Sequence, residues 1–169
     1  WTPLIYTDIG YKNFQSFRDS GFTNLLCSPN GSLHRKLARL CFEELGDAFH
    51  VFVLGQISFA FQIAIKFNIK LVFFGENGEA EYAGDPNSVD RSYMPSSEWR
   101  RIAFKGSDLK TLIEYGIKNK DYINKDDINE SDLIFYQPPT IEEHNKAGIL
   151  GAHYFSYYKK WIPQNNYYY

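Results

Sequence analysis

The apolar run at residues 69–74, IKLVFF, breaks off abruptly into Gly75-Glu76-Asn77-Gly78-Glu79. β-branched and aromatic residues in a short run, closed by Gly and Asn, read as a strand leaving a buried sheet. Upstream, Asn24-Leu25-Leu26-Cys27 runs into Ser28-Pro29-Asn30-Gly31 and reads as a second buried strand with its turn. Between the two runs the pattern is helical. In SLHRKLARLCFEELG, Leu33, Leu37, Leu40, Cys41 and Leu45 share one helical face, with Ser32 as N-cap and Gly46 as C-cap. Residues 48–54 are apolar and fit either strand or helix. Gly55-Gln56 interrupts them, and residues 57–67 suit a mostly buried helix that ends at Asn68. Parallel neighbours need a covering helix between them, so strand, helix, helix, strand predicts an α/β chain. Near-continuous apolar strands imply burial on both faces. The expected fold is part of a parallel α/β sheet with flanking helices.

The rest of the chain decorates that unit. Phe14 and Phe17 share a helical face in YKNFQSFRDSGF, and Gly21 stops it. Residues 79–105 are polar and carry Gly84, Pro86 and Pro95, which reads as an irregular insertion or lid. Residues 107–118 predict an amphipathic helix on Leu109, Leu112 and Ile113. Residues 119–129 are charged and expected exposed. Short helices are expected at 131–136 and 140–147, strand-like aromatic content at 152–157, and a helix start at 163–166.

Composition bounds the function classes. A chain of 169 residues fits one domain. Its 44% hydrophobic and 22% charged residues exclude an ordinary disordered chain. With 18 Lys+Arg against 20 Asp+Glu, a general nucleic-acid partner is disfavoured. No run approaches the roughly 20 apolar residues of a membrane span, and the opening WTPLIYTDIG lacks a signal-peptide pattern. Cys27 and Cys41 form no CxxC pair and read as core thiols in a reducing compartment. The 13 Tyr and 14 Phe fit either an aromatic-rich core or sugar-stacking platforms. The chain begins at Trp1, has its only methionine at Met94 and ends in Tyr167-Tyr168-Tyr169, which reads as a piece of something larger.

Ligands of open parallel sheets sit beyond the carboxyl ends of the strands. One such end carries Gly75, Glu76, Asn77, Glu79 and Glu81, where carboxylates either hold Mg²⁺ with a nucleotide, orient an amine or hydroxyl, or form a solvated acidic turn. The other carries Asn30 and Gly31, followed on one helix by His34, Arg35 and Arg39. That arrangement suits an anion or a solvated basic face. Gln56 beside Gly55 either hydrogen-bonds a substrate amide or sugar hydroxyl, or is a polar residue at a helix start. His50 and His153 read as structural and His144 as an exposed helix residue. No GxSxG, HExxH, Walker A or GxGxxG occurs.

Three strings together go further: YTDIGYKNFQSFRDSGFTNLLCSPNGSLHRKLARLCFEEL, FVLGQISFAFQIAIKFNIKLVFFGENGEAEYAGD and HYFSYYKKWIPQNNYYY. They resemble the N-acetyl sugar amidotransferases, enzymes of bacterial surface polysaccharide and flagellin glycans within the PP-loop ATP pyrophosphatase superfamily. The resemblance is weakest over residues 88–148. It implies a partial Rossmann-like (adenine nucleotide α-hydrolase-like) parallel sheet with flanking helices, and a cytoplasmic enzyme. ATP with Mg²⁺ would adenylylate the oxygen of a sugar N-acetyl group, and ammonia from a separate glutaminase subunit would displace AMP to leave an acetamidino sugar. An amide oxygen is a poor leaving group, and a closed site keeps water from competing with ammonia. The family's SGGxDS loop and its cysteine-rich zinc motif lie before Trp1, so the chain alone is expected to be inactive.

Carried over by position, Glu76, Asn77 and Glu81 would face the sugar or metal, with Gly75, Gly55 and Gln56 lining the same crevice. Asn30 and His34 would stand at the neighbouring strand end, and Tyr6, Thr7 and Asp8 would border the nucleotide. Lys159, Lys160 and Trp161 would meet substrate phosphates, stack a ring, or serve structure. The partner would be a nucleotide-linked or otherwise activated N-acetyl sugar. A non-enzymatic carbohydrate-binding or scaffold domain is the competing reading. A different ATP-dependent amide-forming enzyme is a third; thiolation is disfavoured because neither cysteine has an activating context.

Overall fold

A computed structural model describes residues 1–2, 5–75, 91–95, 108–153, 158–160 and 162. These residues form a mixed α/β chain, mostly helical, with a small mixed three-stranded sheet. The chain divides into two compact units. One comprises Trp1–Phe59 and Gly106–Gln137; the other comprises Ala60–Lys105 and Pro138–Tyr169. Among the described residues, no single helix is long and apolar enough to cross a membrane.

The first unit is helical. Helix α1 spans Asp8–Asp19, with the Thr7 hydroxyl accepting from Gly10 N at its start. None of its residues is buried. Helix α2 spans Gly31–Leu45 and buries Leu33, His34, Leu37, Leu40 and Cys41. Its N-cap is Asn30, one turn-residue pair earlier than the expected Ser32. The Asn30 Oδ1 accepts from both Ser32 N and Leu33 N, satisfying two of the orphan amides of the first turn. Gly46 closes the helix at φ 71°, a left-handed conformation that glycine takes without a Cβ penalty. Helix α4 spans Leu109–Asn119 and packs on α2. Its Gly116 lies so close to Leu40 that a Cβ there would fall 2.8 Å from a Leu40 methyl.

The charged stretch after α4 is held down. Lys120 Nζ reaches Glu43 at 2.9 Å and Glu44 at 2.7 Å, and Arg39 Nε reaches Glu43 at 2.7 Å. Lys120 first, then Arg39, hold the Glu43 carboxyl at about 2. The Tyr122 hydroxyl donates to the same carboxylate, and the Arg39 guanidinium lies 3.9 Å over the Tyr122 ring. Beneath these pairs Ile123 is fully buried, so the expectation of an exposed stretch at 119–129 fails at that position. A one-turn helix, Lys125–Asp127, then leads to α5, Glu130–Leu133, and a 3₁₀ turn, Ile134–Tyr136.

Helix α3, His50–Lys66, is continuous through Gly55-Gln56, where an interruption was expected. A single helical glycine costs about 1 kcal/mol in propensity, which packing readily offsets. Here the missing side chain makes room for an indole: a Cβ on Gly55 would fall 2.4 Å from a Trp1 ring carbon. The expected strand at 24–27 is irregular. Leu25 and Leu26 are each 50% exposed, and one backbone bond, Thr2 N to Cys27 O at 2.8 Å, stands in place of a ladder. Pro29 follows at once and brings no amide hydrogen to extend it.

In the second unit, α3 ends at Lys66, and Asn68 takes φ 55° to turn the chain. Strand β1, Leu71–Phe74, pairs in parallel with β3, Leu150–His153, in the register Leu71 to Leu150 and Phe74 to His153. Strand β2, Tyr93–Met94, lies antiparallel on the other side of β3, so the sheet order is β1-β3-β2. Burial on both faces is not observed: Leu71 and Phe73 are 45% and 50% exposed. Helix α6, Ile141–Ala147, starts on a capping box in which Thr140 and Glu143 satisfy each other's backbone amides.

Candidate functional site

The parallel pairing fixes one edge of the sheet. Phe74 and His153 are register partners at the carboxyl ends of β1 and β3. The chain leaves β1 through Gly75, which is exposed and has open space around its Cα. Glu76, Asn77 and Glu81 follow it in sequence, and all three lie outside the described residues, as does the expected lid over most of its length. β3 ends at His153 on the same edge, and residues 154–157 of the aromatic string that follows in sequence lie outside the described residues. Of its later basic pair, Lys159 and Lys160 are exposed, while Trp161 lies outside the described residues.

The other expected site residues fall in the first unit. Asn30 is committed to capping α2 through Oδ1, and its Nδ2 donates to Asp132 Oδ2 at 2.9 Å. His34 is 1% exposed and lies 2.7 Å from the Tyr136 hydroxyl through Nδ1. Trp1 closes this cluster, 5.1 Å from Tyr136 edge-on and 6.4 Å from His34, with Phe59 beside the indole and Phe52 edge-on to His34. Gly55 lies under the Trp1 indole, and Gln56 is exposed. Asn30, His34 and Gly55 are thus gathered in one unit, but their polar atoms serve caps and packing. Arg39 is bound to Glu43, and Arg35 is exposed.

Burial sets the electrostatics. It pushes the His34 imidazole below its ordinary range and the Cys27 thiol above its own. Burial first, then Cys27 and Asp132, push the Tyr136 phenol up. Cys27 is a buried free thiol, in keeping with a core role, and burial outweighs the nearby positive charge that would favour its thiolate. His144, expected to be exposed, is buried in the second unit, 4.9 Å edge-on from Phe61. Its Nε2 has no hydrogen-bond partner among the described residues. His50 is buried, as expected of a structural histidine.

Tyr6, Thr7 and Asp8 open α1. Thr7 caps it, Asp8 is exposed in its first turn, and Tyr6 contacts Tyr11 and Phe14 at ring separations of 5.9 and 6.0 Å. Among the described residues no group of three His, Cys, Asp or Glu side chains is placed to hold a metal ion. A separate concavity of about 330 Å³ in the second unit is lined by Ile65, Asn68, Lys70, Glu143, Lys146 and Ala147. The sequence drew attention to none of its lining except Asn68. It also gave no sign of Trp1 or Tyr136 as cluster residues, because that contact joins positions far apart in the chain.

Family models and curated proteins were both compared with this chain, and it matches none of them.

Proposed function

We propose that this chain is part of an ATP-dependent N-acetyl sugar amidotransferase. In the reaction the acetamide oxygen attacks the α-phosphorus of ATP and pyrophosphate leaves. Ammonia then adds to the activated carbon, and AMP departs with that oxygen. The amide thereby becomes an amidine. A glutaminase partner supplies the ammonia, and Mg²⁺ accompanies the nucleotide. Glu76, Asn77 and Glu81 take the sugar's polar groups, and Gly75 lets the ligand approach the backbone.

The observation that carries this reading is the register of β1 with β3. Two of the strings that resemble the family, GENGEAEY and HYFSYYKKW, start from adjacent carboxyl ends of parallel strands. That is the edge at which α/β sheets bind ligands. The carbohydrate-binding alternative draws on a different observation. Tyr6, Tyr11 and Phe14 form a ring cluster in which Tyr11 is 48% exposed, a surface suited to stacking a sugar.

Calorimetric titration with UDP-N-acetylglucosamine and UDP-glucose separates the two. The amidotransferase reading expects the acetamido sugar to bind more tightly. It expects Glu76→Gln to weaken binding by about tenfold, the scale of a lost charged hydrogen bond, with Tyr11→Ala silent. Equal binding of both sugars, abolished by Tyr11→Ala and untouched by Glu76→Gln, would move the assignment to a stacking platform.

A further inference from the structure

In the first unit, residues 124–137 run along the surface as a strap. Tyr136 is the only buried residue in that stretch; Ile134 and Phe135 are 51% and 39% exposed. Four described contacts tie residues 130–137 down. Asp132 accepts from Asn30, Phe135 packs edge-on against Phe59 at 5.4 Å, Tyr136 packs against Trp1, and the Tyr136 hydroxyl is bonded to His34. The last is the one polar contact of the four that is buried on both sides. It joins the strap's only buried side chain to an ionisable group on α2.

We propose that the His34–Tyr136 hydrogen bond is an acid-sensitive latch. It holds residues 130–137 against α2 at neutral pH and releases them when His34 takes up a proton. Release uncovers the faces of Trp1 and Phe59 that the strap covers.

The physical case rests on what surrounds the imidazole. Tyr136 faces His34 from the 3₁₀ turn, Phe52 from α3, and Trp1 from the start of the chain. The ionisable groups nearby are Cys27 and Asp132, whose charges act on Tyr136, and the Trp1 amine, whose charge acts on Cys27. None is a carboxylate bonded to His34 among the described residues. In either tautomer, a proton added to His34 creates a cation buried without a counter-charge, which is costly. If Nδ1 accepts the phenolic hydrogen in the neutral form, protonation also removes that acceptor. Opening the strap hydrates the ring and restores its ordinary basicity. Burial lowers the closed-state value below the ordinary His value near 6.5. Between those two values acid therefore favours the open state. The opening constant grows about tenfold per pH unit over that window and levels off below the closed-state value.

Hydrogen exchange of the full chain at pH 7, 6 and 5, corrected for intrinsic rates, tests this. Residues 130–137 are expected to open at least about a hundredfold more readily than α4, in a step that low urea barely promotes. That opening is expected to grow as the pH falls below the ordinary His value near 6.5, and His34→Gln is expected to flatten the growth. Tyr136→Phe covers the case in which His34→Gln does not fold. It keeps the packed ring and the titrating histidine, so opening at pH 7 should rise about tenfold while the acid dependence persists. Three results would overturn the latch: opening of 130–137 only together with α4, local opening with no growth in acid, or a Tyr136→Phe strap as protected as the parent at pH 7.

Discussion

Phe61→Ala should cost the second unit about 3–5 kcal/mol, the range for deleting a buried aromatic ring. Phe61 is 2% exposed and packs between Phe74 of β1, at a ring separation of 5.6 Å, and His144 of α6, at 4.9 Å. The ring therefore links α3 to the sheet and to α6. Its loss removes buried area and the two described aromatic contacts, worth about 0.5–1.5 kcal/mol each, and leaves a void. The void has a distinctive neighbour. His144 is kept below its ordinary basicity by burial alone, and its Nε2 has no described partner. Water admitted beside it should raise its pKa toward the free value. Chemical denaturation reads the stability loss, and NMR titration of His144 reads the shift. A loss under about 1 kcal/mol with an unmoved His144 would mean that Phe61 is not central to that core.

The second large effect lies in the first unit. Leu40→Ala should cost about 2–5 kcal/mol, because Leu40 is fully buried where α2 meets α4. The contact is tight on one side. A Cβ on Gly116 would fall 2.8 and 3.2 Å from the two Leu40 methyls and 3.3 Å from Ile123 Cγ2. Leu40 and Ile123 are both fully buried, so neither can swing away freely. Gly116→Ala should therefore lose about 1–3 kcal/mol to overpacking, against about 1 kcal/mol gained in helix propensity. In the Leu40→Ala background the new methyl fills vacated space. The double mutant should then be more stable than the sum of the singles by about 1 kcal/mol or more. Additivity within about 0.5 kcal/mol in a denaturation cycle would contradict this packing.

Local chemistry was the legible part of this chain. The face of α2, the left-handed Gly46, the amphipathic α4 and the core of β1 follow from periodicity and cap residues that act within a few positions of themselves. What the sequence misled on was decided by distant contacts. Asn24-Leu25-Leu26-Cys27 has strand composition, but a strand exists only with a partner, and the described chain offers it one bond. Gly55 looks like a break until the Trp1 indole occupies the space a side chain would fill. His144 carries polar neighbours in IEEHNKAG that suggest an exposed helix, yet its own position on α6 turns it toward Phe61.

The candidate site divides along the same line. Gly75 at the end of β1 was readable from an apolar run that stops at glycine, and the β1–β3 pairing places it on a sheet edge. Asn30 and His34 had the residue types of a ligand site, but α2 uses one as its cap and buries the other. Their roles depended on Asp132 and Tyr136, each 102 positions away in the chain, and no local pattern encodes such a pairing.

ATP/pyrophosphate exchange tests the proposed function most directly. It would be run with a panel of N-acetyl sugar nucleotides, on this chain alone and on this chain supplied with an SGGxDS-bearing PP-loop segment. Exchange that requires both an N-acetyl sugar and the PP-loop segment is the expected result, since adenylylation of the acetamide releases pyrophosphate before ammonia is needed. No exchange with or without that segment, with sugar binding retained by this chain, would contradict the amidotransferase assignment and leave a carbohydrate-binding domain in its place.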